Sequence, residues 1–160
     1  MDLIFTKRAG KYDDLAITRA DGTTEHIRCP KQRIIPHDMV HFAVETVMTQ
    51  KGFLTKVAAG ESPVGKMVSD ATAESIERLV EAMQGEAWSG EAATAEVLSL
   101  YAIACESWGH AASPVSAGQI DLIRAEMAAL GERWDATPVN ETMVLRLGPA
   151  SPAPVAKVRR

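Results

Sequence analysis

The sequence predicts an α+β fold, with an antiparallel sheet of three or four strands packed against about four helices. Three observations predict it. Alternating apolar runs flank Asp21-Gly22 near the start of the chain. The middle repeats apolar residues at helical spacing between Gly and Pro stops. One more alternating run follows the last helical stretch.

Taken in order, Leu3-Ile4-Phe5-Thr6 is a short β-prone run. Leu15 to Arg19 and Thr24 to Cys29 then form a hairpin, because Asp-Gly supplies the positive φ that a tight turn needs. Leu15, Ile17, Ile27 and Cys29 are its apolar face. Pro36 opens the first helix, where its missing N–H costs nothing, and Gly52 follows that helix as a stop. Residues 53–68 read mostly as loop, because Gly60, Pro63 and Gly65 interrupt them. A second helix starts near Ser69 or Asp70, carries Ile76, Leu79, Val80 and Met83 at helical spacing, and ends at Gly85. The third starts after Ser89 and reaches about Trp108; its Ala-rich, widely apolar composition predicts the most buried helix. The fourth takes Ser113 as its cap and ends at Gly131. A last strand, Thr142 to Leu147, returns to the sheet, since an isolated strand would leave its backbone groups unpaired. Residues 1–148 are thus expected to form one domain, and 149–160 a Pro/Ala-rich, basic, disordered tail.

Composition narrows the function classes. A length of 160 residues suits one domain with its own core. The net charge of −4 offers no basic footprint for nucleic acid, and none is expected as a partner. No run approaches the ~18 apolar residues of a membrane span. The N-terminal residues lack a signal-peptide pattern, so a cytoplasmic protein with no membrane partner is expected. Cys29 and Cys105 make no disulfide framework or Cys-x-x-Cys pair, and Cys105 reads as inert packing. Trp88, Trp108 and Trp134 lie near helix ends and read as core edges.

One short motif has mechanistic content: His37-Asp38-Met39-Val40-His41. It resembles the His-Glu-x-x-His helix of zinc metallohydrolases, with Asp in place of Glu. The resemblance implies that His37 and His41 share a zinc, with Asp38 as the base that activates metal-bound water. Helical geometry adds an independent argument. At ~100° per residue, Val40, Ala43, Val44, Val47 and Met48 form the core stripe, and both histidines fall on its edge. Glu45 continues the line, but eight residues separate it from His37, so it cannot complete the site. Glu106 or His110, four apart at the end of the third helix, is the expected third ligand, although Gly109 is placed to end that helix before His110. His26 on the hairpin is another candidate. The competing reading is that these histidines simply close the edge of a core.

Gly60 to Met67 matches the phosphate loop only as far as Gly-x4-Gly-Lys. Met67 stands where Mg²⁺ chemistry needs Ser or Thr, and no βαβ setting follows. No Gly-x-Ser-x-Gly elbow supports a serine hydrolase. The leading expectation is therefore a binding or interaction domain without catalytic activity, which requires no cofactor and forms a homodimer. The alternative is a protein that binds zinc or another divalent metal at His37 and His41. A metal-dependent hydrolase using Asp38 comes third.

Overall fold

The structure, a computed structural model, describes residues 1–49, 52–62 and 70–148. It is an α+β fold. One four-stranded antiparallel sheet has the order β3-β2-β1-β4. Its strands are β1 (Asp2–Thr6), β2 (Tyr12–Thr18), β3 (Thr24–Pro30) and β4 (Thr142–Arg146). Between β3 and β4 run α1 (His37–Met48), α2 (Phe53–Ala58), α3 (Ala71–Ser89), α4 (Thr94–Trp108) and α5 (Ala117–Asp135).

The alternation of the strands decides which face of the sheet packs. Leu3 lies opposite Ile17 and Leu145, and Phe5 opposite Leu15 and Met143. All six are buried, whereas intervening residues such as His26, Arg28 and Val144 face outward. The hairpin turn follows its Asp-Gly signal. Gly22 has φ 86, and the Asp21 carboxylate accepts from the backbone N–H and the hydroxyl of Thr23. The C-terminal strand does return, and it pairs with β1, so the first strand lies inside the sheet rather than at its edge.

Several helix boundaries differ from the sequence reading. Part of the segment read as loop is a short helix, α2. Helix α3 passes through Gly85 to Ser89, since one glycine in a helix costs only ~1 kcal/mol and Ser89 bonds back to the Gly85 carbonyl. Helix α5 begins at a capping box of Ser116 and Gln119, one turn after Ser113, and passes through Gly131. Ser113 instead meets Ser75 Oγ at 2.7 Å and accepts from the Tyr101 hydroxyl on its carbonyl. The tail 149–160 and most of the Gly60–Met67 loop lie outside the described residues.

The centre of the fold is α1, and α4 is peripheral. Nine of the twelve α1 residues are buried, because α1 meets α2, α3 and α5 around most of its circumference. Helix α4 buries only Val97, Tyr101 and Cys105 and leaves Leu100, Ile103 and Trp108 exposed. Apolar content measured what α4 could bury, whereas its position in the fold decided what it does bury. Among the tryptophans, Trp134 packs edge-on against Phe5 in the core, while Trp88 and Trp108 are more than half exposed.

Candidate metal centre

The N-terminal turn of α1 presents the histidines. Pro36 is the N-cap, and its φ of −51 leads into the helix at His37. Four residues later His41 lies on the same face, and the two rings meet edge to face with centroids 4.8 Å apart. His41 is almost fully buried, while the His37 side chain is 40% exposed. The wheel placed both at half burial. His41 is deeper because α2 covers it, with the Phe53 ring 5.4 Å away.

The residue that joins them is Glu77, on α3. His41 Nε2 lies 2.9 Å from one Glu77 carboxylate oxygen, and His37 Nε2 lies 3.5 Å from the other. Among the described residues, His37, His41 and Glu77 are the group whose ligand atoms all lie within 4.8 Å of one another. Glu106 is exposed on α4 and outside the group. His110 follows the helix end at Gly109, and its Nδ1 lies 3.0 Å from the Ala111 carbonyl. His26 is exposed on the outer face of β3. None of these three belongs to that group.

Hydrogen bonding fixes which nitrogen of each ring faces Glu77. Gln32 Nε2 donates to the Ile35 carbonyl at 2.8 Å, and a carbonyl can only accept, so the Gln32 amide orientation is set. The same nitrogen meets Gln84 Oε1 at 3.2 Å. That oxygen also lies 2.8 Å from His37 Nδ1, so His37 carries a proton on Nδ1. At His41 the Nδ1 faces a Glu45 carboxylate oxygen at 3.2 Å. Both rings therefore donate from Nδ1 and direct Nε2 at one carboxylate.

Glu45 is the best-satisfied group in the neighbourhood. Its carboxylate also accepts from the Leu54 N–H (3.1 Å), the Thr55 N–H (2.9 Å) and the Thr55 hydroxyl (2.9 Å). It thereby caps α2 from outside that helix, where the positive dipole end favours an anion. Gly52 makes this approach feasible. A Cβ there would lie 2.6 Å from Glu45 Cδ and 2.7 Å from Ile76 Cγ2.

The electrostatics follow from this clamp. Burial alone would strip the proton from His41, but hydrogen bonds to Glu45 and Glu77 outweigh it and raise its pKa to about 10. Burial would likewise neutralise Glu77, yet the two histidines hold its carboxyl well below the usual range. The hydrogen bond to Glu77 raises the His37 pKa against burial. Asp38 takes another direction. Its carboxylate, its pKa raised by burial, accepts from the Cys29 thiol at 3.7 Å. Burial, reinforced by the Asp38 charge, pushes the Cys29 thiol far up, so it is a neutral donor. Cys105 is also a free, buried thiol with a raised pKa, the result of burial.

The arrangement can hold a cation. Zinc bonds of about 2.0–2.1 Å at tetrahedral angles place neighbouring ligand atoms roughly 3.3 Å apart. The observed 2.9 Å and 3.5 Å end on the two different oxygens of Glu77, and one ligand atom from each of the three residues lies within 4.8 Å of the others. Both Nδ1–H groups already have the acceptors that orient metal-bound histidines. A wheel of α3 would have flagged Glu77 and Gln84, since at ~100° per residue both fall on one edge of its apolar stripe. Comparison with protein-family models, with curated proteins and with solved structures finds no match, so the functional reading rests on the geometry of this site.

Proposed function

We propose that the protein binds one divalent transition metal, with zinc as the type, through His37 Nε2, His41 Nε2 and the Glu77 carboxylate. The observation that carries the proposal is the convergence of both Nε2 atoms on Glu77 while both Nδ1 atoms are held by Gln84 and Glu45. Two histidines and one carboxylate leave at least one coordination position for water or another ligand. His37 and Glu77 are the partly exposed members, so that position opens on their side. The proposal gives Asp38 no catalytic role, because its carboxylate is engaged by Cys29.

The test is metal titration of protein purified without a histidine tag, with bound zinc read by elemental analysis and affinity by competition with a chromogenic chelator. One zinc per chain is expected. Glu77→Gln should weaken binding at least about 100-fold, and Gln84→Ala about 10- to 100-fold, by freeing a ring that needs orientation. If the native chain takes up no stoichiometric zinc, or if Glu77→Gln binds it as tightly, the metal reading fails.

A second reading, an interaction domain that pairs with its own copy, is favoured by the exposed Leu100 and Ile103 of α4 and Leu122 of α5. Sedimentation velocity would then show a dimer that Ile103→Asp dissociates. A native monomer at high concentration would exclude it.

A further inference from the structure

An amide is a two-faced partner for a histidine. Its oxygen accepts from a ring N–H, whereas its NH2 group, nearly the same shape, donates to a bare ring nitrogen. Gln84 Oε1 lies 2.8 Å from His37 Nδ1. With the oxygen there, Nδ1 carries the proton and the lone pair of Nε2 is free for a metal. With the amide turned over, its NH2 would need a bare Nδ1, and the ring proton would move to Nε2, the atom that faces Glu77. Carboxylates and backbone carbonyls, the usual partners behind a metal-bound histidine, have no such second face. Gln84 therefore needs a neighbour that selects its oxygen.

We propose, resting on the metal reading above, that Gln32 is a positioning residue of the site. It fixes the orientation of the Gln84 amide, and through that amide the nitrogen that His37 offers to a metal. Gln32 lies in the segment between β3 and α1. Its NH2 group donates to the Ile35 carbonyl at 2.8 Å and to Gln84 Oε1 at 3.2 Å. Turning Gln84 over would set two NH2 groups against each other and leave donors without acceptors. Turning Gln32 over would set its oxygen against the Ile35 carbonyl oxygen. The Ile35 carbonyl, which can only accept, thus fixes Gln32; Gln32 fixes Gln84; and Gln84 fixes His37.

The backbone of Gln32 is held as well. Its carbonyl accepts from Trp88 Nε1 at 2.7 Å, which gives that exposed indole a bonded role. Trp88, Gln84 and Glu77 all belong to α3, while Ile35 immediately precedes the Pro36 cap of α1. Gln32 therefore bonds to the helix that carries Glu77 and to the entry of the helix that carries His37.

The experiment is a double-mutant cycle of zinc affinity over the native chain, Gln32→Ala, Gln84→Glu and the pair, read by chelator competition. A carboxylate in place of the Gln84 amide presents an oxygen to His37 whichever way it turns, so selection by Gln32 becomes unnecessary. Gln32→Ala is expected to weaken zinc about 10-fold in the native background. In the Gln84→Glu background the loss should be less than about twofold. Gln32→Glu keeps the shape but replaces the donor with an acceptor. It should also weaken zinc about 10-fold, against the attraction of one more negative charge. Circular dichroism checks that each variant folds; if Gln32→Ala does not, Gln32→Leu is read in its place. Unchanged affinity in Gln32→Ala overturns the proposal. So does an equal loss in both backgrounds, which is what a packing role would give, or equal or tighter binding in Gln32→Glu. Each of these results leaves the metal reading standing, whereas a native chain that takes up no zinc overturns both.

Discussion

At His41 a positive charge is buried between the carboxylates of Glu45 and Glu77, and that charge sets what a metal must do to enter. A metal needs the lone pair on Nε2, so it displaces a proton from a ring whose pKa is raised to about 10. Below that value the proton competes, and above it the competition ends. The expected outcome is zinc affinity that rises with pH from neutrality upward, with about one proton released per metal at neutral pH. Calorimetry in buffers of different ionisation enthalpy measures the release. No released proton would mean that His41 is not a ligand. Gly52 is the second critical residue. Gly52→Ala puts a methyl group into Glu45 and Ile76 and should cost roughly 1–3 kcal/mol in urea unfolding, more than an ordinary Gly→Ala change in a loop.

At the scale of the element, the site stands on helix ends. Helix α2 has no cap of its own, since Gly52 offers no side chain, and Glu45 of α1 caps it across space. Glu45→Gln keeps the shape but removes the charge that faces both His41 and the α2 N-terminus. It should destabilise the fold by about 3 kcal/mol, because it unbalances a buried charge pair. It should also weaken zinc about 10-fold through the loosened His41 ring. Helix α3, which carries Glu77 and Gln84, is capped locally by Asp70, whose side chain accepts from the Ala73 N–H at 2.8 Å. That bond, helped by Lys56, lowers the Asp70 pKa. A lowered folded-state value means stability present above the usual 3.8 and lost as pH falls through the lowered one. Asp70→Ala should cost about 1 kcal/mol at neutral pH and progressively less in acid. Denaturant midpoints at pH 7 and near pH 2 would check this.

At the scale of the molecule, the returning strand β4 closes the sheet on β1. The Met1 ammonium donates to the Leu147 carbonyl at 2.9 Å, and β4 makes β1 an interior strand. Removing residues from Thr142 onward would expose a β1 edge and uncover Leu3 and Phe5, which pair with Leu145 and Met143. Such a truncation should lose cooperative unfolding altogether. Phe5→Ala, by comparison, should cost about 3–5 kcal/mol and leave a foldable chain. Thermal melts followed by circular dichroism separate the two outcomes.

Much of this architecture is legible along the chain because its causes are local. Alternation at Leu15, Ile17 and Cys29 marks a one-sided strand, Asp21-Gly22 marks the turn, and Gly109 marks the end of α4. The spacing of His37 and His41 likewise places both on one edge of one helix. Local period shows which face of an element is apolar. It does not show which faces meet. Hence α4, rich in apolar residues, lies at the periphery, while α1 lies at the centre. For the same reason the third member of the site came from α3 rather than from the end of α4. Glu77 and Gln84 sit two turns apart on an edge that becomes significant only when α3 packs against α1. Glu45, on the line of the histidines but too far from His37 to share a metal with it, is positioned instead as the acceptor behind His41. The sequence by itself determined the strands, four of the five helices and the pair of histidines, while the short α2 and several helix ends escaped it; only tertiary packing decided what those histidines face.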